Sequence, residues 1–121
     1  MIGKGYIVEN LGTNSAESCD YPMFAKKVCN AILNNEFEFG ILVCGTGIGM
    51  SIMANRFKGI RAACLSEKYS AEMTRKHNDS NVLCLGARVI NENLAKEIVD
   101  VWLETEYEAG RHQKRVKMLD D

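Results

Sequence analysis

The 121-residue sequence predicts an α/β fold, a three-layer α/β/α sandwich around a parallel sheet. Short runs apolar on both faces, at 40–44, 61–65 and 81–85, suit strands buried between two layers rather than half-solvated ones. Amphipathic stretches of helical period lie between them, so strands and helices alternate as βα units. The length suits one domain, taken as residues 1–121.

The elements follow in order. Gly3-Lys4-Gly5 has the chemistry that ends a helix and turns into a strand, here Tyr6-Ile7-Val8. A helix over 22–34 puts Phe24, Val28, Ala31 and Ile32 on one face, with Pro22 suited to its first turn. The strand at 40–44 runs into a glycine turn that opens a second helix. After the strand at 61–65, Ser66 is expected to cap a helix through Met73, with Glu67 in its first turn. His77-Asn78-Asp79 is a polar connection to the strand at 81–85. Asn91 caps a helix through Leu103 whose apolar stripe is Leu94, Ile98, Val101 and Trp102. A last helix covers 111–119. No repeat, low-complexity tract or linker interrupts this Rossmann-like pattern.

Composition excludes several classes. Hydrophobic residues make up 46% and charged residues 26%, so disorder, collagen-like repeats and coiled coil are not expected. Fifteen basic and sixteen acidic residues leave a net charge of −1, which steers the chain to neither nucleic acid nor membrane. No apolar run approaches the ~20 residues needed to span a bilayer. The N-terminus has no apolar signal-peptide core, and a cytoplasmic location is expected.

Cysteines stand at 19, 29, 44, 64 and 84. An odd count without a C-x-x-C pair argues against a disulfide framework or a zinc site. Cys29, Cys64 and Cys84 read as small core hydrophobes. Cys44 differs, because it opens Cys44-Gly45-Thr46-Gly47-Ile48-Gly49-Met50-Ser51 directly after a buried strand. Alternating glycines let backbone N–H groups converge on an anion at a helix start. The spacing is neither a dinucleotide fingerprint nor a Walker loop, since it is G-x-G-x-G and no Lys-Ser/Thr pair follows. A plain strand-to-helix turn remains the competing explanation. A thiolate in that setting is stabilised and can take a proton from carbon, while the glycine N–H groups hold the resulting oxyanion.

Two other stretches carry chemistry. His77 and Asn78 serve as helix C-terminal caps, or His77 is a proton-moving histidine at the sheet edge near Cys44. Arg111 and Arg115 stand at i, i+4 spacing, which suits a phosphate clamp or simply a solvated basic helix. Arg88, just past a strand end, adds a further cation.

In combination, Asp20-Tyr21-Pro22, the run 41–51, Tyr69-Ser70-Ala71, His77-Asn78-Asp79-Ser80-Asn81-Val82 and Gly110-Arg111-His112-Gln113 resemble one family. It is the sugar-phosphate isomerase family that includes type B ribose-5-phosphate isomerase and the galactose-6-phosphate isomerase subunits. The resemblance runs from Tyr6 to the C-terminus. It implies aldose–ketose isomerisation of ribose 5-phosphate and ribulose 5-phosphate through an enediolate, without cofactor or metal. It implies that Cys44 is the base between C1 and C2, and that Thr46 with the backbone of Gly45, Gly47 and Gly49 holds the oxyanion. His77 would open the sugar ring and Asn78 would contact a substrate hydroxyl. Arg88, Arg111 and Arg115 match phosphate-binding positions, the C-terminal pair reaching a neighbouring subunit's site. A homodimer or homotetramer is therefore implied, with 111–121 at the interface and Val116, Met118 and Leu119 covered by the partner. The galactose enzyme's A-type subunit lacks the cysteine, so Cys44 favours the type B ribose enzyme.

Family members begin with a strand and helix of roughly twenty residues, about one βα unit, carrying an Asp-His pair at the strand end. This sequence is expected to lack that unit, which accounts for the orphaned Gly3-Lys4-Gly5. The alternatives are an isomerase of a six-carbon sugar phosphate, of the galactose or allose 6-phosphate type, and an inactive sugar-phosphate-binding remnant.

Overall fold

The computed structural model describes residues 9–10 and 21–121. The expected turn at 3–5 and strand at 6–8 lie outside the described residues, as do Cys19 and Asp20. The elements are α1 (Tyr21–Leu33), β1 (Gly40–Cys44), α2 (Ile48–Ala54), β2 (Ala62–Cys64), α3 (Lys68–Asn78), β3 (Val82–Gly86) and α4 (Glu92–Glu104). A 3₁₀ turn (Gly110–His112) then leads into α5 (Gln113–Asp120).

The described strands form a parallel sheet in the order β1-β3-β2. Gly40 pairs with Val82 and Cys44 with Gly86, while Ala62 and Cys64 meet Val82 and Cys84. All five residues of β3 are buried, as its uninterrupted apolar run requires. On one face Leu42, Val82 and Cys84 pack with Ala25 and Cys29 of α1 and with Met50 and Ala54 of α2. On the other, Leu83 and Leu85 pack with Ala71 of α3 and with Ile98, Val99 and Trp102 of α4. The two cores make three layers, as expected.

Local chemistry corrects several boundaries. The cap of α3 is Glu67 rather than Ser66: both its carboxylate oxygens accept from the Ser70 N–H, at 3.0 and 3.1 Å. Hydrogen bonding from the Ser70 side chain, and then from its backbone, holds the Glu67 carboxyl below its usual range. The helix also continues past Met73 to Asn78, where the buried residues Thr74 and Arg75 are polar and leave no apolar period in the sequence. Arg75 is buried, donating to the Ser80 carbonyl at 2.6 Å and Asp79 Oδ1 at 2.8 Å, with Phe39 and Trp102 against its guanidinium. The Trp102 indole N–H donates to Ser80 Oγ at 2.8 Å. Asp79, at φ 47°, ends the helix in the left-handed region. His77 and Asn78 thus form its last turn rather than a connection.

Asn91 caps α4 as expected, accepting from the Leu94 N–H at 2.8 Å. The single helix expected over 111–119 is split, with Arg111 in the 3₁₀ turn and Arg115 in α5, so they do not share one α-helical face. Val116 is buried by its own chain, whereas Met118 and Leu119 are exposed. Cys29 and Cys84 are core, but Cys64 is exposed at the end of a short strand. Among the described residues, no helix is long and apolar enough to cross a membrane.

Candidate active site

Cys44 ends β1 and its half-buried thiol faces the turn that starts α2. The Gly47 N–H donates to Cys44 Sγ at 3.2 Å. Gly47 manages this at φ 81°, and a Cβ there would stand 3.0 Å from the Leu85 carbonyl carbon. Only glycine fits. The Ile48 N–H donates to Thr46 Oγ1 at 3.3 Å, a local turn contact just before the Gly47 cap of α2. The neighbouring strand completes the loop. The Ala87 and Arg88 N–H groups donate to the Cys44 and Gly45 carbonyls at 2.8 and 3.0 Å. The Arg88 side chain lies along Gly45, its Nε 3.8 Å from where a Cβ would be. Cys44, Gly45, Thr46, Gly47, Gly49 and Arg88 therefore gather at the C-terminal edge of the sheet, where open α/β sheets take ligands.

The other predicted residues gather elsewhere. His77 stacks on His112 with ring centroids 4.2 Å apart and planes inclined by 23°. His77, Asn78, His112, Arg115, Val116 and Leu119 line a cavity of about 300 Å³. Partial desolvation pushes the His112 pKa down; the adjoining His77, Arg111 and Arg115 reinforce this, and Glu108 opposes it. The cluster is a cationic surface hollow suited to an anion.

These two groups do not meet within one chain. Cys44 pairs with Gly86, while His77 precedes Val82 at the opposite end of the same strand. The length of β3 separates those ends, about 13 Å at the usual rise. The expectation that His77 lies near Cys44 is corrected accordingly: α3 runs back along the sheet, so its C-terminus reaches the edge away from the glycine turn. Among the described residues, no group of three or more His, Cys, Asp or Glu side chains is arranged to hold a metal.

The Ribose/Galactose Isomerase family profile matches residues 1–119. The chain belongs to this family. It is 51% identical over 119 residues to ribose-5-phosphate isomerase B of Escherichia coli, covering 98% of this chain and 80% of that one. It is 46% identical over 105 residues to the D-erythrulose-4-phosphate isomerase of Pectobacterium atrosepticum, covering 87% and 69%. The solved ribose 5-phosphate isomerase of Thermotoga maritima matches with a TM-score of 0.95 at 52% identity, covering 98% of this chain and 82% of that one. Both the α/β fold and the isomerase class expected from the sequence agree with these relatives.

In this Ribose/Galactose Isomerase family chain, four residues at the two clusters are given no site role by the sequence. Tyr21 packs over Gly49, its ring 2.7 Å from where a Cβ would stand, and it belongs to the Asp20-Tyr21-Pro22 marker. Gly86 abuts Thr46, and its signal is a glycine closing an apolar run. The Cys64 thiol donates to the Thr46 carbonyl at 3.5 Å. His112 is overshadowed in sequence by the arginines near it.

Proposed function

We propose that this isomerase interconverts ribose 5-phosphate and ribulose 5-phosphate in a site built from two copies of the chain. The observation that carries the chemistry is the half-buried Cys44 sulfur accepting the Gly47 N–H at 3.2 Å. A donor so placed fixes the sulfur at the glycine turn, beside the backbone N–H groups that can receive an oxyanion. The relatives at 51% and 52% identity, named for ribose 5-phosphate isomerase, supply the substrate.

The chemistry then needs only proton movement. His77 transfers the anomeric hydroxyl proton toward the ring oxygen, opening the sugar. The Cys44 thiolate takes the C2 proton of the open aldose, and the electron pair moves through C1 to its carbonyl oxygen. The enediolate charge is held by N–H groups of the glycine turn, with the Thr46 hydroxyl beside them. The C2 hydroxyl proton passes to the C1 oxygen, the Cys44 thiol returns its proton to C1 as the C2 carbonyl forms, and the ketose leaves Cys44 as thiolate again. No cofactor or metal enters this sequence. Asn78 contacts a sugar hydroxyl, and Arg88, Arg111 and Arg115 bind phosphate.

Separation of the half-sites supports the assembly. A two-fold pairing brings the His77, Asn78, Arg111 and Arg115 end of one copy to the Cys44 turn of the other, with 111–121 at the interface. Exposed Ile48 and Ile52 on α2, and Met118 and Leu119 on α5, provide apolar surface for such contact. A homodimer is the smallest such unit, and a homotetramer repeats it. Cys29, Cys44, Cys64 and Cys84 are free thiols, as a reducing compartment such as the cytoplasm maintains.

The 46%-identical erythrulose-4-phosphate relative favours a second reading, a four-carbon substrate. Assaying the purified chain against four-, five- and six-carbon aldose and ketose phosphates separates these. The highest kcat/KM is expected with ribose 5-phosphate. Preference for another chain length overturns the substrate assignment, and no turnover of any overturns the isomerase activity.

A further inference from the structure

We infer that Arg61 is a positioning residue for the phosphate end of the site, locking α5 against the last turn of α3 through Asp79 and Asp120. Helix α5 has eight residues and buries only Val116, too little to hold its place unaided. Its far end is tied instead by charge. Arg61 Nη1 donates to both Asp120 carboxylate oxygens at 2.8 Å. The same guanidinium reaches the C-cap of α3: Nε donates to the Asp79 carbonyl at 2.9 Å, and Nη2 lies 3.5 Å from Asp79 Oδ2.

The anchor is itself fixed. The Arg61 N–H donates to Asn81 Oδ1 at 2.7 Å, and its side chain is only 16% exposed. Asp79 is held from the other side by Arg75 at 2.8 Å. One cation therefore touches both elements that line the cavity. His77 and Asn78 lie just before Asp79, and Arg115 lies between His112 and Asp120 on α5. Their register, read in the 4.2 Å stack of His77 on His112, depends on that tie. None of the three tying groups touches the cavity, so the effect is indirect.

The kinetic part of this inference rests on the proposed phosphate role of Arg115, and the experiment keeps the two apart. Asp120→Ala, Asp120→Glu and Arg115→Ala are compared by KM and kcat for the phosphorylated sugar, by inhibition with inorganic phosphate, and by NMR titration of His112. Asp120→Ala should raise KM and the phosphate inhibition constant about three- to tenfold with kcat within about twofold. His112 should titrate closer to the ordinary imidazole value as the stack loosens, and Asp120→Glu should restore both readouts. A merely structural contact would lower the melting temperature and leave KM and the titration alone, which overturns the inference. An unmoved His112 titration overturns it whatever the kinetics show. Unchanged KM in Asp120→Ala, with raised KM in Arg115→Ala, also overturns it. Unchanged KM in Arg115→Ala defeats the phosphate assignment instead, and the His112 titration then decides the tie by itself. Should Asp120→Ala not fold, Asp120→Asn removes the charge at constant size and carries the same readouts.

Discussion

Cys44 and His77 stand at opposite edges of one parallel sheet, Cys44 level with Gly86 and His77 beyond the Val82 end of the same strand. A base and a ring-opening acid that serve one sugar must lie within a few ångströms of it. Under the proposed roles of Cys44 and His77, one copy does not meet that requirement. Two copies related by a two-fold axis can, and they then form two equivalent sites.

If Cys44 is the proton-transfer base, Cys44→Ser should lose at least ~10²-fold in kcat, as removal of a general base does. Affinity for inorganic phosphate should stay nearly constant, because the cationic hollow is built from other residues. A variant retaining more than about a tenth of the wild-type rate contradicts the assignment.

The glycine turn leans on Gly86. A Cβ there would stand 2.7 Å from the Thr46 carbonyl carbon and oxygen, both main-chain atoms that cannot swing aside. Gly86→Ala should destabilise by about 1–3 kcal/mol and lower kcat more than it changes phosphate affinity. Unchanged melting temperature and rate would mean that the loop yields freely.

Thiol reactivity should divide by position. Burial pushes the Cys29 thiol up to about 11, and burial with neighbouring thiols pushes Cys84 up to about 12. Peptide mapping after brief alkylation near pH 8 should find Cys44 and Cys64 modified while Cys29 and Cys84 react only after unfolding. Early modification of Cys84 would contradict the packing of β3.

Acid should act on the cationic hollow. With its pKa below the usual 6.5 in the folded chain, His112 binds a proton more readily when unfolded. Stability contributed by neutral His112 is therefore intact above that value and declines as pH falls through it toward the folded pKa. Desolvation sets this first, reinforced by His77, Arg111 and Arg115, with Glu108 opposing. Melting temperature should fall from about pH 7.5 to about pH 5.5, and His112→Gln should fall less. Equal slopes would remove His112 as a cause.

Much of the fold is legible in the sequence where burial is apolar. The run at β3 is wholly buried and those at β1 and β2 are buried or half-buried apart from exposed Val43 and Cys64, and Asn91 caps α4 with the side chain expected of it. Legibility fails where burial is polar. Thr74 and Arg75 fill a buried helix face that no hydrophobic period marks, because hydrogen bonds and aromatic faces replace apolar contact. Cys64 departs from its expected core position because an apolar neighbourhood in sequence says nothing of a strand's exposed end. The division of the site is legible in principle. A helix that follows a parallel strand returns to the opposite edge, so His77 at its end has to leave Cys44 behind. Motif order along the chain hides that, since motifs carry no edge.

The shared site is tested most directly by mixing. Cys44→Ser, impaired in kcat, and Arg115→Ala, impaired at substrate concentrations far below its raised KM, are combined in equal amounts, allowed to exchange subunits and assayed at such low substrate, with mass measured by analytical ultracentrifugation. If the site is shared, half the dimers are mixed and each holds one intact site and one doubly altered site, so activity should recover to about a quarter of wild type. If each chain contains its own complete site, every site in the mixture carries one lesion. No recovery after confirmed exchange, or a monomeric mass for the active wild-type enzyme, would contradict the two-copy site.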